Sequence, residues 1–130
     1  MLLPEEAYEG YERAWNEPEW SATLLEKVWA PDGIYVDDDL PDGIVGPAAL
    51  AALIAETHEA LPGFRVWATS APRMLGERMA ITWAGEGGDP PVPEAGTDVI
   101  EFGRDGRITR VTDVLDIERR GRPDTSASGE

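Results

Sequence analysis

Two aspartates stand in strand-like segments near the end of the chain, where apolar residues alternate with polar ones. In the run TDVIEF, Asp98 alternates with Ile100, and in the run ITRVTDVL, Asp113 alternates with Val111. Residues two apart in a strand share a face, so both carboxyls are predicted to lie among apolar neighbours. Burial disfavours the charged form of a carboxyl, which raises its pKa toward neutrality and suits it to proton transfer.

Two such acids facing one cavity would form an acid–base pair. In this hypothesis Asp113 is the general base, and Asp98 is a second acid–base group or an oxyanion donor. The alternative is structural, because buried carboxylates also serve to accept backbone amide hydrogen bonds or to pair with cations. Arg78 and Arg110 are the cations that could pair with them in that case.

Aromatic and basic residues supply a predicted binding site around the two acids. The predicted substrate-binding residues are Tyr11, Trp15, Tyr35, His58, Trp67, Arg78 and Trp83. In the strand-like segment that begins at Arg78, alternation puts Arg78 on one face and Trp83 on the other, and which face lines the pocket stays open. His58 is the only histidine and the chain has no cysteine, so no metal site is expected.

The overall charge limits the classes of partner. The formal net charge of the 130-residue chain is −15. Nucleic acid and anionic membranes are bound through Lys and Arg, so neither is an expected partner. No signal peptide and no apolar run of membrane-spanning length is recognised. We expect a cytoplasmic protein that works without a cofactor.

Helical patterns occupy the first half of the chain and strand patterns the second. Helices are predicted from Pro4 to about Asn16, from about Glu19 to Val28, and from Ala48 to Ala60. Strands are predicted at residues 34–37, 64–71, 78–85, 97–102 and 107–115, and an Asp-Gly turn joins the last two in a hairpin. The segments 38–43 and 86–95 are predicted to be loops.

This order of elements predicts an α+β fold. We expect a curved antiparallel sheet wrapped around three N-terminal helices, cone-shaped and with a central pocket. Residues 1–116 are predicted to form one domain, and residues 117–130 a disordered tail.

Three segments resemble a known family. The turn WAPDGIYVDD, the helix start GPAAL and the hairpin GTDVIEFGRDGRITRVTDVLD are similar to the SnoaL-like (polyketide cyclase-like) branch of the nuclear transport factor 2-like superfamily. That resemblance implies a cone-shaped α+β domain that often forms homodimers through its sheet. Members include polyketide cyclases, ketosteroid isomerase, limonene epoxide hydrolase and non-enzymatic binding domains, so the fold alone does not choose a function.

Comparison with ketosteroid isomerase implies roles for three positions. The run VDD places Asp38, or its neighbour Asp37, near the general base of that enzyme. The run TDVIEF places Asp98 at the position of its protonated, oxyanion-binding acid. Tyr11 is the candidate for its helix tyrosine.

Comparison with the epoxide hydrolases and polyketide cyclases implies a role for Asp113. The run ITRVTDVLD resembles the last strand of these enzymes, which carries a catalytic acid. The epoxide hydrolases also use an Arg-x-Asp motif on a middle strand. Here Arg78 is present but Ala80 replaces the acid, so epoxide hydrolysis is not predicted.

Two function classes follow from these patterns. The first is a cofactor-independent isomerase, cyclase or dehydratase that acts on a small apolar carbonyl compound through Asp113, Asp98 and Asp38. The second is a non-catalytic module that binds a small hydrophobic ligand or forms dimers. A homodimer through the sheet is expected in both cases.

Overall fold

Three α-helices, one 3₁₀ turn and seven strands make up residues 1–115, the part of the chain that the computed structural model describes. In chain order they are α1 (Pro4–Asn16), the 3₁₀ turn (Pro18–Trp20), α2 (Ser21–Val28), β1 (Trp29–Asp37), β2 (Leu40–Val45), α3 (Pro47–Ala60), β3 (Arg65–Ala68), β4 (Arg73–Leu75), β5 (Arg78–Gly87), β6 (Val92–Phe102) and β7 (Ile108–Leu115). The predicted disordered tail lies outside the described residues.

The ends of α1 follow its local sequence. Pro4 opens the helix, and the Glu6 side chain accepts a hydrogen bond of 3.0 Å from the Leu3 backbone amide, which places an acid at the positive end of the helix dipole. At the other end, the Asn16 amide donates to the Val66 carbonyl at 2.9 Å and accepts from the Val66 amide at 2.7 Å. This pair of hydrogen bonds ties α1 to β3. Among the described helices, none is long and apolar enough to cross a membrane.

The strands form one mixed sheet. Their order is β2-β1-β7-β6-β5-β3, and β4 pairs with β5 outside this path. Neighbouring strands are antiparallel except β1 and β7, which run parallel. The α+β class with three helices is confirmed, but the sheet is mixed and uncurled rather than antiparallel and curved. Whether β7 runs parallel or antiparallel to β1 depends on the path of the chain between the two strands. Local sequence patterns do not encode that path.

Strands also occupy segments that were expected to be loops. β2 lies largely within the acidic segment 38–43, and β6 begins at Val92, inside the segment 86–95. The pairing of β5 with β6 extends as far as Gly87 opposite Val92. Cross-strand hydrogen bonds thus hold proline- and glycine-containing sequence in an extended form that its intrinsic propensity disfavours.

The core lies between the helices and one face of the sheet. Its fully buried members include Ala7, Leu25, Leu50, Ile54, Met79, Ile100 and Val111. In β5, Met79, Ile81 and Trp83 are buried, whereas Arg78 and Thr82 are exposed. The sequence did not decide which face of β5 lines the pocket. In the structure it is the face that carries Trp83, and this face packs toward the helices.

Candidate active site

β6 and β7 place Asp98 and Asp113 directly opposite each other. Both residues lie on the helix-covered face and are only 5% and 7% exposed. Residues paired in this way have Cβ atoms about 4.5–5.5 Å apart, and a hydrogen bond joins the two carboxyls. The two acids singled out by alternation are therefore neighbours in the fold.

The two carboxyls hold protons differently. Burial, followed by the charge of Asp113 and the hydrogen bond to it, raises the pKa of Asp98 well above its ordinary value. Burial also raises the pKa of Asp113, to about 6, while hydrogen bonds from Asp98 and Trp83 oppose that rise. Near neutral pH the pair therefore holds one proton, with Asp98 as the carboxylic acid and Asp113 as the carboxylate.

Neutral donors orient the Asp113 carboxylate. The Trp83 indole Nε1 donates to Oδ1 at 2.9 Å, and the Tyr35 hydroxyl lies 3.4 Å from Oδ2. The same hydroxyl is 3.0 Å from Oδ2 of Asp37, so its single proton has two carboxylate acceptors. Burial raises the pKa of Tyr35 well above its ordinary value, which keeps this hydroxyl protonated.

Gly96 makes room for this arrangement, and no sequence pattern pointed to it. It pairs with Trp83 across β5 and β6. A Cβ atom on Gly96 would lie 2.7 Å from the Val114 carbonyl oxygen and 3.1 Å from both Asp113 Oδ1 and the Trp83 ring. A side chain at this position would therefore displace the two groups that form the indole–carboxylate hydrogen bond.

Of the neighbouring acids Asp37 and Asp38, Asp37 is the one that lines the site. Asp37 shares a strand face with Tyr35, and its Oδ1 accepts the backbone amides of Asp39 and Leu40 at 2.9 Å each. Asp38 is exposed in the turn between β1 and β2. The choice of Asp38 as a catalytic candidate is thus corrected to Asp37, because the Asp37 side chain anchors the turn that carries Asp38 outward.

A cavity of about 340 Å³ opens onto the carboxyl pair. It is lined by both acids and by four of the predicted substrate-binding residues, namely Tyr11, Trp15, Tyr35 and Trp83. Burial raises the pKa of Tyr11 well above its ordinary value, so its hydroxyl is a neutral donor. The cavity falls within the range of roughly 300–1,000 Å³ that is usual for small-molecule sites.

Three predicted binding residues lie outside this cavity. The His58 ring Nε2 is 2.7 Å from the Trp15 carbonyl oxygen, so His58 joins α3 to α1 beside the cavity. The Arg65 guanidinium lies over the Trp67 ring at 5.4 Å on an exposed part of β3. Arg78 projects from the exposed face of β5. The expectation that these three side chains line the pocket with the acids is not met.

Other lining residues were not among the candidates. Tyr8 lies one helical turn before Tyr11, with their ring centroids 6.1 Å apart. Its helical spacing to Tyr11 could have identified it. Phe64 is buried against Trp15, with ring centroids 6.2 Å apart, and Glu12 also reaches the cavity. Phe64 was expected to begin a strand, but it lies just before β3, which starts at Arg65, so strand alternation does not set the direction of its side chain.

Metal ligands do not gather at this site. Within residues 1–115, no group of His, Asp and Glu side chains has the arrangement of a metal site. The polar groups of the residues that line the cavity are carboxyls, phenols, indoles and a threonine hydroxyl. Such groups can transfer protons and donate hydrogen bonds to a bound ligand.

A model of the SnoaL-like domain matches residues 8–111. The chain belongs to the SnoaL-like domain family. The match includes most of α1, all of α3 and Asp98, and it ends two residues before Asp113. No curated protein gives a match.

Solved structures place the SnoaL-like protein among nuclear transport factor 2-like folds. It is 29% identical to a candidate isomerase of the SnoaL-like family from Agrobacterium tumefaciens, with a TM-score of 0.75 over 85% of this chain and 94% of the other. A ketosteroid isomerase-like fold from Catenulispora acidiphila, solved with trimethylamine, is 20% identical, with a TM-score of 0.73 over 91% and 94% of the two chains. A candidate SnoaL-like polyketide cyclase from Shewanella denitrificans is 16% identical, with a TM-score of 0.69 over 89% and 92%.

Proposed function

We propose that this SnoaL-like protein is a cofactor-independent enzyme that moves protons on a small, mostly apolar carbonyl compound. The observation that carries the proposal is the one-proton pair of Asp98 and Asp113, which faces a cavity of about 340 Å³ lined mainly by aromatic and aliphatic groups. A carboxylate beside a carboxylic acid supplies a base and an acid at the same pH. Isomerisation, cyclisation and dehydration all begin with the step that such a pair performs.

In that step the Asp113 carboxylate removes a proton from a carbon next to the substrate carbonyl. The electron pair of the broken C–H bond forms an enolate, whose oxygen needs neutral hydrogen-bond donors. The Asp98 carboxyl and the Tyr11 hydroxyl both line the cavity and can serve as these donors. When Asp113 becomes neutral, the Asp98 proton is released from its charge-assisted bond and can turn toward the enolate oxygen.

The second half of the reaction returns the proton. Transfer from Asp113 to a different carbon completes an isomerisation. In a cyclisation, the enolate carbon attacks a second carbonyl of the same molecule, and the alkoxide that forms takes the proton from Asp113. In a dehydration, the C–O bond to a hydroxyl group on the next carbon breaks, and that group leaves as water with the proton from Asp113. Each route restores the starting protonation of the pair, so no cofactor is consumed.

A deuterium-exchange assay tests this function without knowledge of the natural substrate. Small ketones and lactones are incubated with the protein in D₂O, and mass spectrometry counts the deuterium gained next to the carbonyl. We expect exchange that rises as the pH passes about 6, because Asp113 becomes a carboxylate there. We expect Asp113→Asn to reduce the exchange rate by about 10²–10⁴-fold, the usual contribution of a general base.

The matched control is Glu56→Gln, which removes one negative charge from an exposed position on α3. This variant should keep the full exchange rate. Equal rates in Asp113→Asn and the unaltered protein would remove Asp113 from the mechanism.

The second candidate function is a non-catalytic module that binds small ligands. It is favoured by Ala80, which stands where the related epoxide hydrolases carry an acid. Trp15 and Trp83 line the cavity, so quenching of tryptophan fluorescence reports ligand binding. Binding of ketones or amines without exchange or product at any pH would support the module over the enzyme. Amines belong in this screen because the Catenulispora acidiphila protein was solved with trimethylamine.

We further propose that the protein is a cytoplasmic homodimer that associates through the outer face of its sheet. The helices cover the other face, so the outer face is the surface available for contact between two sheets. A dimer of this kind would leave the cavity accessible, because the cavity lies on the helix-covered side.

A further inference from the structure

Among residues 1–115, the ionisable groups that line the cavity are all acids or phenols. Six carboxyl residues contribute to its wall: Glu12, Asp37, Asp39, Glu94, Asp98 and Asp113. No Lys, Arg or His contributes to the wall among residues 1–115. Arg13–Glu17 and Arg107–Asp105 are ion pairs between described residues, and they have exposed side chains that do not contribute to the wall. The part of the wall that residues 1–115 form therefore presents a negative potential to a ligand.

Three acids of the wall, Asp113, Asp37 and Glu12, accept hydrogen bonds from neutral groups. Asp113 accepts hydrogen bonds from the Trp83 indole and the Tyr35 hydroxyl. Asp37 accepts the same hydroxyl and two backbone amides. Glu12 accepts the Ala68 backbone amide at 3.0 Å. Asp39 and Glu94 interact with further groups. The neutral donors do not cancel the negative charges of Asp113, Asp37 and Glu12.

Aromatic rings form much of the remaining wall. Six of them line the cavity: Tyr8, Tyr11, Trp15, Tyr35, Phe64 and Trp83. Neighbouring rings stand close together, with centroids 6.1 Å apart for Trp15 and Tyr35 and 6.2 Å apart for Trp15 and Phe64. The faces of aromatic rings attract cations within about 6 Å of their centroids. Carboxylates and ring faces thus favour the same kind of ligand.

The chemical type of cation follows from the hydrogen bonds that protein donors already make to the carboxylates. Because these carboxylate oxygens accept hydrogen bonds from protein donors, a ligand gains more from its charge than from new hydrogen bonds. An alkylated ammonium group spreads its charge over apolar methyl or methylene groups and needs few acceptors. It also matches a wall of rings better than a compact, strongly hydrated primary ammonium does.

We propose that the cavity selects a small organic cation, in which an alkylated amine or quaternary ammonium group is carried by the carbonyl compound of the proposed function. This substrate class rests on that proposed function, since it concerns the same cavity. The positive nitrogen would lie among the rings near Asp113 and Asp37. Anionic ligands would be excluded by the same field.

Choline and its neutral carbon isostere, 3,3-dimethylbutan-1-ol, test this proposal by a charge difference at nearly constant shape. Their dissociation constants are measured by tryptophan quenching and by isothermal titration calorimetry, with 3,3-dimethylbutanoate as the anionic member of the series. We expect choline to bind at least about tenfold more tightly than the alcohol, as one desolvated cation–π contact supplies. The butanoate should not bind detectably. The preference for choline should weaken at high salt and below pH 6, where Asp113 gains a proton.

Two variants separate charge from shape. Asp113→Asn should reduce the preference for choline over the alcohol by about threefold or more while leaving the affinity for the alcohol nearly unchanged. Tyr8→Leu removes one lining ring and should also reduce the preference, which keeps the test valid if Asp113→Asn does not fold. Glu56→Gln is the matched control for charge and should leave the preference intact.

The outcomes distinguish this inference from the proposed function. Equal binding of choline and the alcohol, or tighter binding of the butanoate, would overturn the cation proposal even if deuterium exchange on neutral ketones is observed. A preference for choline that disappears in Asp113→Asn would support it, whether or not any tested ketone exchanges. An unchanged preference in both Asp113→Asn and Tyr8→Leu would place the cation outside this cavity and contradict the proposal.

Discussion

At the scale of the residue, the chemistry depends on which of two neighbouring carboxyls holds the proton. Asp98 and Asp113 occupy equivalent positions on adjacent strands, but their surroundings differ. Asp113 receives the Trp83 and Tyr35 donors, which stabilise its charged form. Asp98 is joined to Asp113, whose negative charge and hydrogen bond both favour its neutral form. In the proposed reaction, this difference in donors makes Asp113 the base and Asp98 the acid.

This assignment predicts that the protein loses stability as the pH rises. Below about pH 4, Asp113 is protonated in both the folded and the unfolded chain. Between about 4 and 6 the unfolded chain releases this proton while the folded protein keeps it, so the free energy of unfolding falls by an amount on the order of 3 kcal/mol. Asn cannot ionise, so the stability of Asp113→Asn relative to the unaltered protein should increase over this range. Urea unfolding at a series of pH values measures it.

The control for this prediction is again Glu56→Gln, whose stability relative to the unaltered protein should change little over the same range. Asp98 prolongs the loss of stability to higher pH, because burial raises its pKa further. A constant difference between Asp113→Asn and the unaltered protein from pH 4 to 7 would contradict a raised pKa for Asp113.

Sequence patterns predicted part of this site for a clear reason. Alternation in a strand specifies which residues share a face, and this was enough to associate Asp98 and Asp113 with buried neighbours. It cannot distinguish Asp37 from Asp38 at the end of a strand, where the β1–β2 register shifts between Tyr35 and Asp37. It also cannot tell that His58 bonds a backbone carbonyl instead of a ligand. These outcomes depend on contacts between distant elements.

At the scale of the element, β5 and β6 form the longest strand pair of the described sheet. Gly96 lies at the point of this pair where the Trp83 indole approaches Asp113. The pair runs from Arg78 opposite Glu101 to Gly87 opposite Val92. This long pairing places Trp83 beside Gly96. From there the Trp83 indole reaches Asp113 on β7, the strand on the other side of β6. The start of β6, residues 92–95, contains Pro93 and was expected to be part of a loop. Its strand form comes from pairing with β5, which single-sequence propensity does not contain.

We predict that Gly96→Ala disrupts the site more than the fold. The new methyl group would meet the Val114 carbonyl at 2.7 Å and crowd Trp83 and Asp113, at a cost of about 1–3 kcal/mol for overpacking. The Trp83 indole N–H signal in a ¹⁵N–¹H spectrum measures the effect. In the unaltered protein this signal should shift as the pH passes about 6, because its acceptor titrates there. In Gly96→Ala the shift should be lost or greatly reduced.

Thr97→Ala is the control for the substitution of Gly96. Thr97 is adjacent in β6, and its side chain points to the opposite face of the sheet. It should keep the pH-dependent indole signal and the rate of deuterium exchange. If Gly96→Ala also keeps both, the close approach at Gly96 does not position the indole.

At the scale of the whole molecule, a chain with a net charge of −15 carries an uncharged patch on the outer face of its sheet. Two cross-strand rows of β5, β6 and β7 form this outer patch, which consists of Ala80, Thr82, Thr97, Val99, Thr112 and Val114. Val114 is 53% exposed. Copies that each carry a net charge of −15 repel one another, so contact between them is least unfavourable where the surface carries no charge.

The proposed homodimer should therefore depend on salt and on Val114. Sedimentation velocity should show a dimer fraction that increases severalfold between about 20 and 200 mM NaCl, because added salt screens the repulsion between the two chains. Val114→Asp places a charge in the outer patch and should favour the monomer at every salt concentration. Val45→Asp is the control, since Val45 is also exposed but lies on the edge strand β2, which is not part of the outer patch. Equal dissociation of both variants would mean that net charge controls association and that the outer patch is not the interface.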